Sequence, residues 1–115
     1  MALPARIAKK AKRDSRWRSP AHCNFVRSHA CSVCGSTTAI EVAHVRIGSG
    51  AGMGQKPDDW NTISLCGGLS GHHAEQHRIG ERSFEQKYKI SMTRLADEFA
   101  AASPKAFDIR MARRG

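Results

Sequence analysis

The feature that most constrains this chain is the spacing of its cysteines. Cys31 and Cys34 form a C-x-x-C pair followed by Gly35, and Cys66 lies beside glycines farther along. A chain of 115 residues buries only a small hydrophobic core, and a structural metal is a common way to add stability. The spacing therefore predicts a structural zinc site in which three thiolates are ligands.

The fourth ligand of this zinc site has several candidates. His72 is the first, because it would complete a tetrahedral Cys3His site, while His73 is the second and Cys23 the third. The connection between Cys66 and His72 is five residues long, which is more than is usual for such sites. Three of those five residues are glycines that can absorb the extra length. If they do not, another residue completes the site.

The charge of the chain points to a polyanionic partner. There are 19 Lys and Arg against 10 Asp and Glu, a formal net charge of +9, which favours phosphate contacts. DNA or RNA is the first candidate, and a basic tail that only aids solubility is the alternative. No apolar run approaches the roughly 20 residues of a membrane span, and residues 1–19 lack the apolar centre of a secretory signal. We therefore expect a cytoplasmic protein with no membrane partner.

The sequence divides into three segments. Residues 1–19 are predicted to be a basic flexible arm, residues 20–103 a small single α+β domain, and residues 104–115 a basic C-terminal tail. Within the domain, apolar periodicity predicts helices over 20–29, 72–78, 81–89 and 93–102, and strands over 39–47 and 60–66. The glycine-rich residues 48–59 are predicted to be a loop.

His73 and His77 are four residues apart in one of these predicted helices. On a helix they project from the same face about one turn apart, a geometry that suits binding of one cation. Such pairs also arise by chance on solvated faces, so the spacing alone leaves both interpretations open.

The order of these features along the chain resembles the HNH endonuclease family. The resemblance covers about residues 20–88 and rests on a C-x-x-C pair, His44, Asn61, Cys66, His72, His73 and His77 in that order. The stretch AHVR, the loop GMG-KP-D and the ending LC…HH…QH resemble in particular small HNH proteins of phages and prophages. This resemblance implies a ββα-metal finger (also called a His-Me finger), with a treble-clef-like zinc site and flanking helices.

The resemblance also implies roles for individual residues. His44 matches the general base, which would activate a water to attack the scissile phosphorus. Asn61 matches the central asparagine, which holds the loop and the base through amide hydrogen bonds. His73 and His77 match the helix ligands of one catalytic divalent cation, for which Mg²⁺, Mn²⁺, Ni²⁺ and Zn²⁺ are all candidates.

One departure from the family pattern concerns this cation. Many HNH enzymes place a metal-binding Asp or His immediately before the base, and this chain has Ala43 there. His44 itself, Glu41 and Asp58 are candidates for the missing ligand, and water is the remaining one.

Together these features predict a metal-dependent endonuclease that hydrolyses DNA phosphodiester bonds with weak sequence specificity. Candidate phosphate contacts are Arg46, Lys56, Arg78 and Arg82. One centre nicks one strand and two are usually needed to break both, which leaves a homodimer as an open expectation. The alternative, kept open by Ala43, is a non-catalytic zinc-finger module that binds nucleic acid or a phage protein.

Overall fold

The computed structural model of the chain describes residues 2–6, 16–52 and 54–114. These residues form an α+β fold with a two-stranded antiparallel sheet and five helices, which confirms the predicted class. The elements along the chain are α1 (Pro20–Arg27), β1 (Ile40–His44), β2 (Thr62–Cys66), α2 (His72–Ile79), α3 (Glu81–Tyr88), α4 (Met92–Ala102) and α5 (Ala106–Arg114). Residue 1 and residues 7–15 of the predicted N-terminal arm lie outside the described residues.

The two strands pair in a register that separates two groups of predicted site residues. Ile40 lies opposite Cys66, and His44 lies opposite Thr62 at the other end of the ladder. Four residues of strand correspond to about 13 Å along the sheet. Cys66 and His44 therefore belong to different ends of the sheet.

The core lies between the sheet and the helices that follow it. Phe84 of α3 and Met92 of α4 are fully buried, so both helices turn an apolar face toward this core. The buried members of the core are Cys31, Ala43, Val45, Ile63, Leu65, Phe84, Met92 and Ala96. This core fixes α2 against the sheet, and α2 carries the histidines discussed below.

The helices are short, and glycine sets the boundary between two of them. Gly80 ends α2 and immediately precedes α3, with a φ of +88° that strongly favours glycine. Ser19 caps α1 by accepting a hydrogen bond from the His22 N–H, and Pro20 occupies the first turn as the sequence predicts. In the part of the chain that the structure describes, no helix has both the length and the apolar character needed to cross a bilayer.

Residues 16–19, the end of the predicted arm, pack on the loop before β2, and we call them the N-terminal strap. Trp17 N–H donates to Asp58 Oδ1 at 2.6 Å, and Ser19 N–H donates to Asp59 Oδ2 at 2.8 Å. In return, Asp59 N–H donates to the Trp17 carbonyl at 2.9 Å. The folded part therefore begins before Pro20, because the strap supplies the donors that two largely buried aspartates require.

The C-terminal residues form α5, where the sequence predicts a basic tail. Ile109 is 2% exposed, and α5 packs against α4. Arg113 lies over the ring of Trp60, 5.5 Å from its centroid, and Trp60 in turn stacks on Trp17. The arginines dominate the composition of this segment, but its apolar residues give it a face that packs on the domain.

Candidate metal centre and histidine cleft

Four predicted ligands converge at one end of the sheet, and we call this group the thiol cluster (Cys31, Cys34, Cys66 and His72). Their ligand atoms all lie within 4.8 Å of one another. The Cys34 and Cys66 Sγ atoms are 3.9 Å apart, and Cys66 Sγ is 3.2 Å from His72 Nδ1. Two sulfur ligands of one tetrahedral zinc, each at about 2.3 Å, are about 3.8 Å apart. The thiol cluster could therefore hold a metal ion such as zinc, which confirms the predicted ligand set at this level.

The glycines between Cys66 and His72 absorb the long connection, as predicted. The chain turns back on itself there, and Gly71 N–H donates to the Gly68 carbonyl at 3.1 Å. A Cβ on Gly71 would overlap the carbonyl groups of Gly67 and Cys66. Only glycine fits this approach, which brings His72 to the start of α2 and its ring next to the thiols.

The electrostatics of the thiol cluster favour a thiolate at Cys31. Burial opposes ionisation of this thiol, but backbone hydrogen bonds from Cys34, Val33 and Cys66 lower its pKa to about 6. Cys66 accepts the His72 N–H at 3.3 Å, yet burial and the charge of Cys31 raise the pKa of Cys66. A bound cation would remove this conflict, because thiol ligands of a metal are deprotonated.

A second group of residues lines a cleft of about 1010 Å³, which we call the histidine cleft. It is bordered by α1, β1, α2 and the glycine-rich loop. The predicted site residues that line it are His44, Arg46, Lys56, His73 and His77. Others that line it are Arg18, Cys23, Arg27, Glu41, Asp59 and Gln76.

His44 is held in this cleft by a buried carboxylate. Its Nε2 lies 2.9 Å from Asp59 Oδ1, and Asp59 is 5% exposed. Burial alone would raise the pKa of Asp59, but hydrogen bonds from His44 and the Ser19 N–H, with the charge of Arg18, lower it to about 2. Asp59 is therefore an ionised acceptor at neutral pH. It follows that His44 Nε2 carries the proton of this hydrogen bond.

Sequence reasoning missed Asp59. It is the second of two adjacent aspartates, and Asp58 was the one considered as a metal ligand. Asp58 instead accepts the Trp17 N–H and lies 3.3 Å from Arg16, outside the residues that line the cleft. The contact between Asp59 and His44 depends on how the loop closes, and the local sequence carries no signal for it.

His73 and His77 are neighbours on α2, as their spacing predicts. Their Nε2 atoms are 3.2 Å apart. His73 Nδ1 lies 2.8 Å from Oε1 of Glu41, a half-exposed carboxylate on β1. His44 does not join this pair, since within residues 2–6, 16–52 and 54–114 the thiol cluster is the group of three or more ligand atoms gathered closely enough for a metal.

Asn61 and Ala43 do not line the cleft. The Asn61 carbonyl accepts the Val45 N–H at 2.7 Å, and its own N–H donates to the Asp58 carbonyl at 2.9 Å, so its backbone ties the loop to the sheet. Ala43 is fully buried beside its partner Ile63 in the core. A side chain at position 43 points into the core, so this position supplies no ligand to the cleft.

Three further candidate residues lie outside the sites for which they were candidates. Arg78 is exposed on α2, 3.9 Å from Glu75, and Arg82 is exposed on α3, and neither lines the cleft. Cys23, a candidate zinc ligand, lines the histidine cleft instead of joining the thiol cluster. Burial and the nearby charge of Asp59 raise the pKa of Cys23 to about 11.

Residues 3–103 match the family described as "Protein of unknown function (DUF968)". The protein belongs to this family. The DUF968 region contains the N-terminal strap, the thiol cluster and the histidine cleft, and it ends before α5. No curated protein and no solved structure matches the chain.

Proposed function

We propose that this DUF968 protein is a metal-dependent endonuclease of the HNH type that hydrolyses DNA phosphodiester bonds. The observation that carries the proposal is that one cleft contains both His44 with its buried carboxylate partner and the His73–His77 pair. The consecutive order of β1, β2 and α2 also agrees with a ββα-metal finger.

His44 is proposed as the general base. Its Nε2–H is directed at Asp59, so the free Nδ1 can accept a proton from a water that attacks the phosphorus. Asp59 holds the imidazole in this tautomer and stabilises the imidazolium that forms after proton transfer. Positioned acid–base groups of this kind contribute about 10²- to 10⁴-fold to rates.

His73 and His77 are proposed to hold a divalent cation through their Nε2 atoms. Two nitrogen ligands at about 2.1 Å from one ion lie about 3.0 to 3.4 Å apart, which fits the 3.2 Å between these atoms. Such a cation, when bound, would stabilise negative charge on the scissile phosphate and the departing oxygen. The two imidazoles would hold this cation in the cleft that His44 also lines.

The charge of the cleft fits a phosphate backbone. Arg27, Arg46 and Lys56 all line it, and Lys56 makes no ion pair with a carboxylate among the described residues. Arg78 and Arg82 would contact only substrate that extends beyond the cleft. Cationic groups bind phosphate, and no element for reading bases is evident in the part of the chain that the structure describes. We therefore propose weak sequence specificity.

The thiol cluster is proposed to hold structural zinc. Its four ligands leave no open coordination position, which is typical of structural sites, whereas catalytic sites keep a position for water or substrate. The zinc would anchor the first turn of α2 through His72, next to His73.

A second candidate function is a non-catalytic zinc module that binds nucleic acid. Ala43 favours it, because the buried position before His44 leaves the histidine pair without the additional protein ligand common in HNH enzymes. Both functions share the zinc site and the cationic cleft, and only the chemistry distinguishes them.

Nicking of supercoiled plasmid tests the proposal. Wild-type protein, His44→Ala and the matched control His29→Ala, an exposed histidine outside the cleft, would be compared after zinc loading. Reactions would contain no added cation and then Mg²⁺, Mn²⁺, Ni²⁺ or Zn²⁺. We expect cation-dependent nicking that His44→Ala reduces by about 10²- to 10⁴-fold and that His29→Ala leaves unchanged. Plasmid binding without nicking under every cation would favour the zinc module.

A further inference from the structure

We infer that Glu41 is the positioning residue for His73 and that it sets the affinity of the histidine pair for its cation. This inference rests on the proposed metal site. Glu41 binds the Nδ1 atom of His73, on the side of the ring away from the cation. The remaining coordination positions of the cation are left to water and to substrate oxygen.

The first support is the direction of the hydrogen bond. Glu41 Oε1 lies 2.8 Å from His73 Nδ1, whereas His73 Nε2 lies 3.2 Å from His77 Nε2. A carboxylate only accepts, so His73 donates its Nδ1–H and its Nε2 keeps a free lone pair. Carboxylates that bind the far nitrogen of a ligand imidazole fix its tautomer and its orientation in this way.

The second support is the residue beside Glu41. A Cβ built on Gly67 would lie 2.5 Å from both Cδ and Oε2 of Glu41, so a larger residue would displace this carboxylate. Gly67 is not among the glycines with positive φ, and its backbone does not need glycine for conformational reasons. Its N–H also donates to the Ala39 carbonyl at 2.7 Å, which holds it against β1. A side chain at position 67 would therefore compete with the Glu41 carboxylate for this space.

The third support is that the other candidate ligands are committed elsewhere. Asp58 is 5% exposed and accepts from the strap, and the Nε2 atom of His44 is bonded to Asp59. Glu41 itself bonds the nitrogen on the opposite side of the His73 ring from the nitrogen that faces His77. It therefore supports the ligand from behind and does not complete the coordination sphere.

The test measures cation affinity without catalysis. Mn²⁺ and Ni²⁺ binding to zinc-loaded protein would be followed by calorimetry for wild type, Glu41→Ala, Gly67→Ala and the control Glu98→Gln, an exposed glutamate on α4 that pairs only with Arg94 among the described residues. We expect Glu41→Ala to weaken binding by about 10- to 100-fold, Gly67→Ala to weaken it in the same direction, and Glu98→Gln to have no effect.

A spectroscopic measurement separates positioning from a general loss of structure. Nitrogen chemical shifts of the imidazoles report the tautomer of each histidine in the cation-free, zinc-loaded protein. We expect His73 to carry its proton on Nδ1 in wild type and on Nε2 predominantly in Glu41→Ala, with the other histidines unchanged. Glu41→Gln, whose amide oxygen still accepts, should retain most of the Nδ1–H form.

The outcomes separate this inference from the proposed function. One outcome is that His77→Ala abolishes cation binding and Glu41→Ala leaves it unchanged. This result would overturn the role of Glu41 but support the metal site. An unchanged His73 tautomer in Glu41→Ala would do the same. If wild-type protein binds no cation, a second zinc included, beyond the one in the thiol cluster, the proposed metal site fails and the inference fails with it.

Discussion

The thiol cluster and the histidine cleft meet on adjacent residues of α2, yet they are built differently. His72 faces thiols whose ligand atoms lie within 4.8 Å of one another, while His73 is paired with a carboxylate and one other histidine. The four ligand atoms of the thiol cluster surround one position, whereas the histidine pair faces an open cleft. A closed set of soft ligands suits a metal that stabilises the fold, and an open set suits one that also contacts substrate.

Loss of the thiol cluster should have the largest effect. We expect Cys66→Ser, or removal of zinc by a strong chelator, to lower the free energy of unfolding by on the order of 5 kcal/mol or more, close to the total stability of a small domain. Circular dichroism during a urea titration, with and without added zinc, would measure this. Full stability of the zinc-free protein would show that the cluster holds no structural metal.

Loss of the histidine pair should affect activity and leave the fold intact. We expect His77→Ala to reduce nicking by at least about 100-fold, since a metal contributes several kcal/mol and each factor of ten corresponds to about 1.4 kcal/mol. The free energy of unfolding should change by about 0.5 kcal/mol or less, because His77 lies at the surface of the cleft. If His77→Ala and Cys66→Ser lower the free energy of unfolding by similar amounts, the histidine pair is as structural as the thiol cluster and the distinction between them fails.

Asp59 should link activity and stability. Asp59→Asn leaves one amide oxygen where two carboxylate oxygens accept from His44 and the Ser19 N–H, and its amide NH₂ group then faces one of these donors. We therefore expect about 1 to 3 kcal/mol less stability at pH 7 and slower nicking. The pKa of Asp59 is lowered from 3.8 to about 2 on folding, so its stabilisation is fully present above about pH 5. It is lost as the pH falls from about 4 toward 2.

Urea unfolding of wild type and Asp59→Asn across this range would test the linkage. The difference in free energy should narrow as the pH falls below about 4, where Asp59 of the wild type takes up a proton. A difference that stays the same down to about pH 2 would contradict the assignment of Asp59 as an ionised acceptor.

Single cations of the cleft should have the smallest effect. We expect Lys56→Ala to weaken DNA binding a few-fold and to reduce the slope of log K against log salt by about 0.9, the value for one phosphate contact. Fluorescence anisotropy over a salt series would measure both quantities. Lys105→Ala, which removes a lysine paired with Asp108 outside the cleft, is the matched control and should leave the slope unchanged.

Sequence was informative where ligand chemistry imposes a spacing. The C-x-x-C pair, Cys66 and the glycines before His72 were sufficient to predict the thiol cluster, and the periodicity of α2 was sufficient to bring His73 and His77 together. These relations are local or follow from the demand for four ligands around one metal.

The parts of the site that depend on tertiary contacts could not be predicted from the sequence. The hydrogen bond between His44 and Asp59 joins residues fifteen positions apart across a glycine-rich loop. Ser19 of the strap, which binds Asp59 on the same loop, lies 40 positions before it in the chain. The helix α5 was missed because its arginines outweigh Ile109 in composition, although one buried side chain was enough to define its packed face.

The stack of Trp17 on Trp60 provides an optical signal for this long-range closure. These two residues are the only tryptophans in the chain, and one lies in the strap while the other directly follows Asp59. Tryptophan emission of the unmodified protein, excited at a wavelength that Tyr88 does not absorb, therefore reports on the junction that holds His44. Emission recorded during zinc removal would show whether this junction opens with the rest of the fold or separately from it.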